Sequence, residues 1–564
     1  MSDFSNYKNY RTYLPQYSNW KKNIDTQNAK REEYLKINSL KPTREDIGKS
    51  KALIRAIDVM DEYSQQNAEN MEVLTESVVA QVISIISGIF GGTALLMLGK
   101  SKKINAAIDK IILKIVPELK EIAKKNNNAL LEPRSLILMT LGLVPIITAA
   151  SFPLYSWAAK AEVNASRQGR FNAMKEELNN PNLFAILTPE QENQVNENLK
   201  NVKISSKKPK SKDLYNNKNG FFKMIKHITH LRSEKEERND FIKSLDYEKQ
   251  FYDKNLAENE LDDAKRDQQI LLKLVEKIDI ASQDYAENTE LATATVSSII
   301  LGSGPILSSL LTMVSKKFNI KISKYILAFP TLVSILSTFV LSILSADVQK
   351  QASRVGRHMI KQELLKSPEK LTYVEDEKTK DIKDVIIQEE KKDNIFKFLL
   401  KAIKNNKEYK KWLKNEGERE KATIKELKKI NLSPEQLKDA KRLQKNTFKT
   451  FNTLDDKTQQ YSESIEALGS SIQYPIVEIF SLMGMLWGLR NMVRLTQKNA
   501  NIFEEFTKMF AKIFATTLPA IGINAYITKE QKKASRVASM LAINELSDVK
   551  NFADYSDYYE KNVK

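Results

Sequence analysis

The chain has 564 residues, 89 Lys and Arg against 71 Asp and Glu for a net charge of +18, and no cysteine. The missing cysteine excludes disulfide frameworks, thiol nucleophiles and Cys-ligated metal centres, and both charge signs share the same polar stretches, unlike a basic nucleic-acid domain. Only 16 Gly and 15 Pro stand in a chain rich in Lys, Glu, Leu, Ile and Ala, which predicts an all-α protein with very little sheet.

The first segment, 1–42, interleaves Phe4, Tyr7, Tyr10, Tyr13, Tyr17 and Trp20 with Lys8, Arg11, Lys21 and Lys22. That pattern suits a lipid headgroup layer, or packing against the rest of the chain, better than RNA stacking. The segment lacks an apolar core behind basic residues, so no cleaved targeting peptide is expected.

The next unit, 43–189, holds two stretches without a charged residue, 77–98 and 135–159. Each is as long as the ~20 apolar helical residues that cross a bilayer. Ser84, Gly88 and Gly92 recur at every fourth position of the first, a ridge that lets helices approach closely in lipid. Before it stand Asp61, Gln65, Glu69 and Glu72; after the second come Ala165-Ser166-Arg167, Arg170 and Glu176. Gly48-Lys49-Ser50 and Gly99-Lys100-Ser101 are not phosphate loops, because Thr43 and Ala94 occupy the position where that motif needs its first glycine.

A charged linker, 190–262, contains the basic amphipathic run Phe221–Ile228, suited to the headgroup layer or to docking on the charged helices that flank the uncharged stretches. The unit at 263–374 then repeats the first. Asp61, Gln65, Glu69 and Glu72 align with Asp279, Gln283, Glu287 and Glu290 at an offset of 218 (279 − 61). Uncharged stretches at 291–315 and 325–346 follow, then Ala352-Ser353-Arg354, Arg357 and Glu363. A second linker, 375–432, carries the similar run Ile395–Ile403.

The third unit, 433–564, matches the second without a gap at an offset of 176 (439 − 263), aligning Asp455, Gln459, Glu463 and Glu466 with the same pattern. Its apolar stretches, 467–489 and 506–527, are less clean: the first contains Glu478, a possible intramembrane site. Ala534-Ser535-Arg536 closes it, with Ser539 where the earlier copies have Arg170 and Arg357.

At about 100° per residue, the four polar positions of the acidic pattern fall on one helix face. An antiparallel hairpin brings them to the depth of the arginine motif, so a structural charge clamp is expected in each hairpin, with Lys361 facing solvent. The predicted architecture is a polytopic membrane protein of three transmembrane helical hairpins with long charged extramembrane helices. His227, His230 and His358 are too scattered for a metal or base cluster, and no catalytic, cofactor or metal site is expected. The function expected first is an integral membrane scaffold binding protein partners, a further copy or anionic lipid headgroups. A transporter or channel comes second, and a pore-forming or secreted effector third. Six crossings put both termini on one side, expected to be cytoplasmic.

Overall fold

Three helix starts carry reciprocal local caps. Thr43 Oγ1 accepts from the Asp46 amide at 3.1 Å while Asp46 Oδ2 accepts from the Thr43 amide at 3.2 Å. The same reciprocal pair forms at Thr188/Gln191 and at Ser433/Gln436. The structure, a computed structural model, describes residues 2–98, 100–115, 157–200, 236–245, 247–253, 256–317, 323–382, 394–458 and 533–556, with isolated positions between them.

All regular elements among the described residues are helical. α1 (Ser2–Ile37) is followed by α2 (Arg44–Leu98), whose 55 residues extend ~80 Å. α3 (Lys102–Ile115) and α4 (Pro189–Lys200) belong to the first unit and its linker. In the second unit α5 (Glu258–Val275) passes through one π turn, Glu276–Ile280, into α6 (Ala281–Lys317), and α7 (Lys324–Lys366) returns beside it. α8 (Ile395–Asn415) and α9 (Gly417–Leu427) form the second linker. Helical segments 157–172, 434–458 and 533–545 complete the first and third units.

Two hairpins close on glycine. A Cβ added at Gly169 would lie 2.3 Å from the Tyr63 carbonyl oxygen, and one at Gly356 would lie 3.0 Å from Ser282 Cα. The equivalent in the third copy is Ala538, fully buried beside Tyr461. Below the hairpins the first helices of all three units share a core. Leu53, Ile57 and Met60 meet Leu271, Leu274 and Ile278, and Leu443, Phe451 and Leu454. Spacings of three, four or eight residues put each trio on one helix face, and each fully buried side chain contributes ~1.5–3 kcal/mol. Each second helix ends in a short 3-10 turn, Pro181–Phe184, Pro368–Leu371 or Val549–Phe552, whose last residue is driven into that core.

Among the described residues, no helix is long and apolar enough to cross a membrane. The stretches 77–98, 291–315 and 325–346 lie within α2, α6 and α7. Those at 135–159, 467–489 and 506–527 fall largely outside the described residues, as does Phe221–Ile228.

Candidate functional site

The arginine motifs reach across units as well as within them. Arg170 of the first unit bridges its own hairpin's Asp61 at 3.3 Å and Asp455 of the third unit at 2.8 Å, while Arg167 pairs with Asp456 at 3.1 Å. Arg354 on α7 donates Nε to Glu62 at 2.9 Å and Nη1 to Glu69 at 2.8 Å, both on α2. One turn on, Arg357 donates to Gln65 Oε1 at 3.0 Å. From the third unit, Ser535 donates to Gln283 on α6 at 2.8 Å and Arg536 pairs with Asp284. The second helix of unit one therefore grips unit three, that of unit three grips unit two, and that of unit two grips unit one. The contacts close a ring, in place of three self-contained hairpins.

Opposed charges decide the protonation of this layer. Burial raises the Asp455 carboxyl, with Arg170 and Arg167 pulling the other way. Burial disfavours the Arg354 charge, but Glu62 and Glu69 hold its pKa above the ordinary value. Lys361, expected to face solvent, is buried and pairs with Asp58 and Glu420. It lies seven residues after Arg354 and so shares the face turned towards α2.

A second polar cluster sits inside the shared core. Asp267 on α5 has no exposed surface and accepts from Lys49 Nζ at 2.9 Å and Arg442 Nε at 3.1 Å, which brings all three units to one carboxylate. Asn446 adds a donor at 3.4 Å. Burial opposes the Lys49 charge, yet Asp267 and Glu45 leave its pKa raised. The sequence offers Lys49 only in a rejected phosphate-loop triplet and gives Asp267 no role. The available signal was the repeat itself, because positions 49 and 267 are related by the offset of 218 and carry opposite charges; the third copy has Leu443 there.

The remaining expected residues scatter. Glu72 is exposed on α2, Asp279 lies in the π turn, and Glu287 and Glu290 continue along α6. Gln459, Glu463, Glu466 and Glu478 lie outside the described residues. The aromatic N-terminal segment forms α1, which packs Tyr13, Leu14, Tyr17 and Trp20 against Tyr461, Val537 and Met540 of the third unit. Farther along, Lys21 and Asn28 reach Glu276 of the second unit at 3.1 and 3.2 Å. α8 docks on the α6–α7 hairpin, Leu399 meeting Ala292 and Val296, while Ile395, Phe396 and Leu400 stay exposed.

Among the described residues no group of His, Asp and Glu could hold a metal ion. Carboxylates matched by arginines are also poor free bases or ligands. The arrangement suits holding helices in register. No protein-family model, curated protein sequence or solved structure matches this chain.

Proposed function

We propose that this chain is an integral membrane scaffold: three helical hairpins enter the lipid, and the ring-clamped helical base presents surfaces to protein partners and anionic headgroups. The observation that carries this reading is the outer face of α7. Ile326, Phe329, Val333, Leu336, Val340 and Leu344 recur every three or four residues, and between 42% and 63% of each is exposed. From Ile326 to Leu344 that stripe runs about 27 Å along a helix, close to the ~30 Å hydrocarbon layer. A contiguous apolar face of this length is what water-exposed surfaces avoid. The runs Leu291–Ser315 in α6 and Tyr325–Ala346 in α7 carry no charged residue, which supports placing both hairpin arms in lipid.

The basic face of α8, with Lys397, Lys401 and Lys404, lies where those uncharged runs meet the charged base, the level at which headgroups would sit. Both termini and the base are assigned to the cytoplasmic side. The test is carbonate extraction and liposome flotation of the full chain, alongside Leu336→Lys. The wild type should float and resist extraction, and the charge at mid-stripe, costing ~2.5–3.5 kcal/mol on insertion scales, should reduce membrane recovery. Recovery of the wild type as a detergent-free soluble monomer would end the reading.

A further inference from the structure

Each first helix carries a base at one equivalent position: Arg55, Lys273 and Lys449, related by the two repeat offsets (273 − 218 and 273 + 176). Two of the three donate to oxygen. Arg55 Nη1 bonds the Leu183 carbonyl at 2.9 Å, and Lys449 Nζ bonds the Tyr252 hydroxyl at 2.6 Å and the Asn551 carbonyl at 3.4 Å. Leu183 and Asn551 are the third residues of the 3-10 turns that end their units. The base is thus normally satisfied by that turn.

Lys273 breaks the rule. It is only 5% exposed, and among the described residues its amine makes no hydrogen bond or ion pair. It lines a cavity of about 510 Å³ between α1, α5 and the Asp376–Thr379 turn. That volume falls in the range of small-molecule sites. The π turn Glu276–Ile280, a feature often found at functional positions, begins three residues after it.

The charges around the amine already have partners. Arg31 on α1 holds Asp376 at 2.5 Å; Glu276 takes Lys21 and Asn28; Lys277 lies 3.4 Å from Glu32; and Lys265 lies 3.1 Å from Asp262. Burial, aided by the Lys277 and Arg31 cations, pulls the Lys273 amine down to about 7. At neutral pH the amine therefore takes up a proton readily if a countercharge arrives.

We propose that this cavity binds a small carboxylate, whose oxygen accepts from Lys273 as the Leu183 and Asn551 carbonyls accept from its counterparts. A monoanion fits better than a phosphate dianion, because Asp262, Glu375 and Glu377 also line the cavity. Binding takes up a proton, so affinity is greatest below about pH 7 and falls as pH rises above it.

The experiment is trace acylation of the intact full chain across pH, with labelling of each lysine read by mass spectrometry and propionate as the probe. Without propionate Lys273 should label with a midpoint near 7. Raising its pKa by one unit with saturating propionate should cut labelling roughly tenfold below that midpoint. Lys449, already bonded, should not respond. Unchanged Lys273 labelling in propionate, or equal protection by chloride or inorganic phosphate at matched ionic strength, overturns the assignment. Because the readout is residue-specific in the wild type, it does not depend on a variant folding.

Discussion

Substituting Asp267→Asn removes the one negative charge that Lys49 and Arg442 share inside the core. Asp267 is fully buried, the Lys49 side chain is 3% exposed and that of Arg442 10%. Arg442 keeps Asp263 at 3.0 Å and Asp439 at 3.3 Å, whereas Lys49 keeps only the half-exposed Glu45 at 2.9 Å. The penalty therefore falls mainly on Lys49, and removing one partner from a buried pair costs ~3–5 kcal/mol. The companion variant, Lys49→Met with Asp267→Leu, replaces the pair by apolar groups of similar length. It imitates the third copy, where Leu443 already occupies the equivalent buried position. It should recover most of the loss, since a well-packed apolar replacement of a buried ion pair is often neutral or stabilising. Reversible urea unfolding of the wild type, the single variant and the double variant, each at the same pH and salt, gives the two stability differences. A single-variant cost under ~1 kcal/mol, or a double variant less stable than the single, would refute the idea that the charge is held by its partners.

In the ring of clamps, Arg354→Ala and Lys361→Ala should each lower stability by ~1–3 kcal/mol, because they leave the partly buried Glu69, or Asp58 and Glu420, without these donors. Lys404→Ala, at an exposed i,i+4 pair 3.8 Å long, should change little by the same urea titration. Gly169→Ala should destabilise by ~1–3 kcal/mol and more than Gly356→Ala, since it meets backbone at 2.3 Å where the other meets it at 3.0 Å; thermal melts of the two variants rank them. Lys273→Met should stabilise the fold at and below neutral pH by ~3–5 kcal/mol, the scale of a shift from 10.5 to about 7. The unfolded lysine binds a proton between those values and the folded one does not. Wild-type stability should therefore rise with pH through that window, and a variant-minus-wild-type difference that does not shrink there would contradict it.

Much of the local structure was legible. Thr188-Pro189-Glu190 and Ser433-Pro434-Glu435 announce helix starts through a hydroxyl cap, a proline in the first turn and an early acid, and the structure adds Gln191 and Gln436, which accept from the cap amides. The repeat also singled out Asp61, Gln65 and Glu69, which in the structure meet arginines of α7 or of the first unit's second helix. It could not say which copy faces which, because an offset establishes equivalence and says nothing of adjacency. Hence Arg354 was paired by expectation with its own hairpin, while its partners Glu62 and Glu69 lie 285 residues or more away. Lys361 departs from expectation for a simpler reason: a lysine's charge suggests exposure, but its spacing from Arg357 puts it on the clamping face. Asp267 and Lys49 were hidden because a buried charge gives no periodic signal until its partner is known.

The ring of contacts has the topology of a homotrimer threaded onto one chain. In such an assembly each protomer offers one donor face and one acceptor face, and none is terminal. Removing any hairpin from this protein would expose an arginine face on one survivor and an acidic face on the other, which are complementary to each other. Those orphaned faces could be satisfied only by another molecule, so a two-hairpin fragment would be expected to assemble with its own kind. Conversely, a circular permutation that changes the order of hairpins without changing their faces should leave the closed arrangement intact.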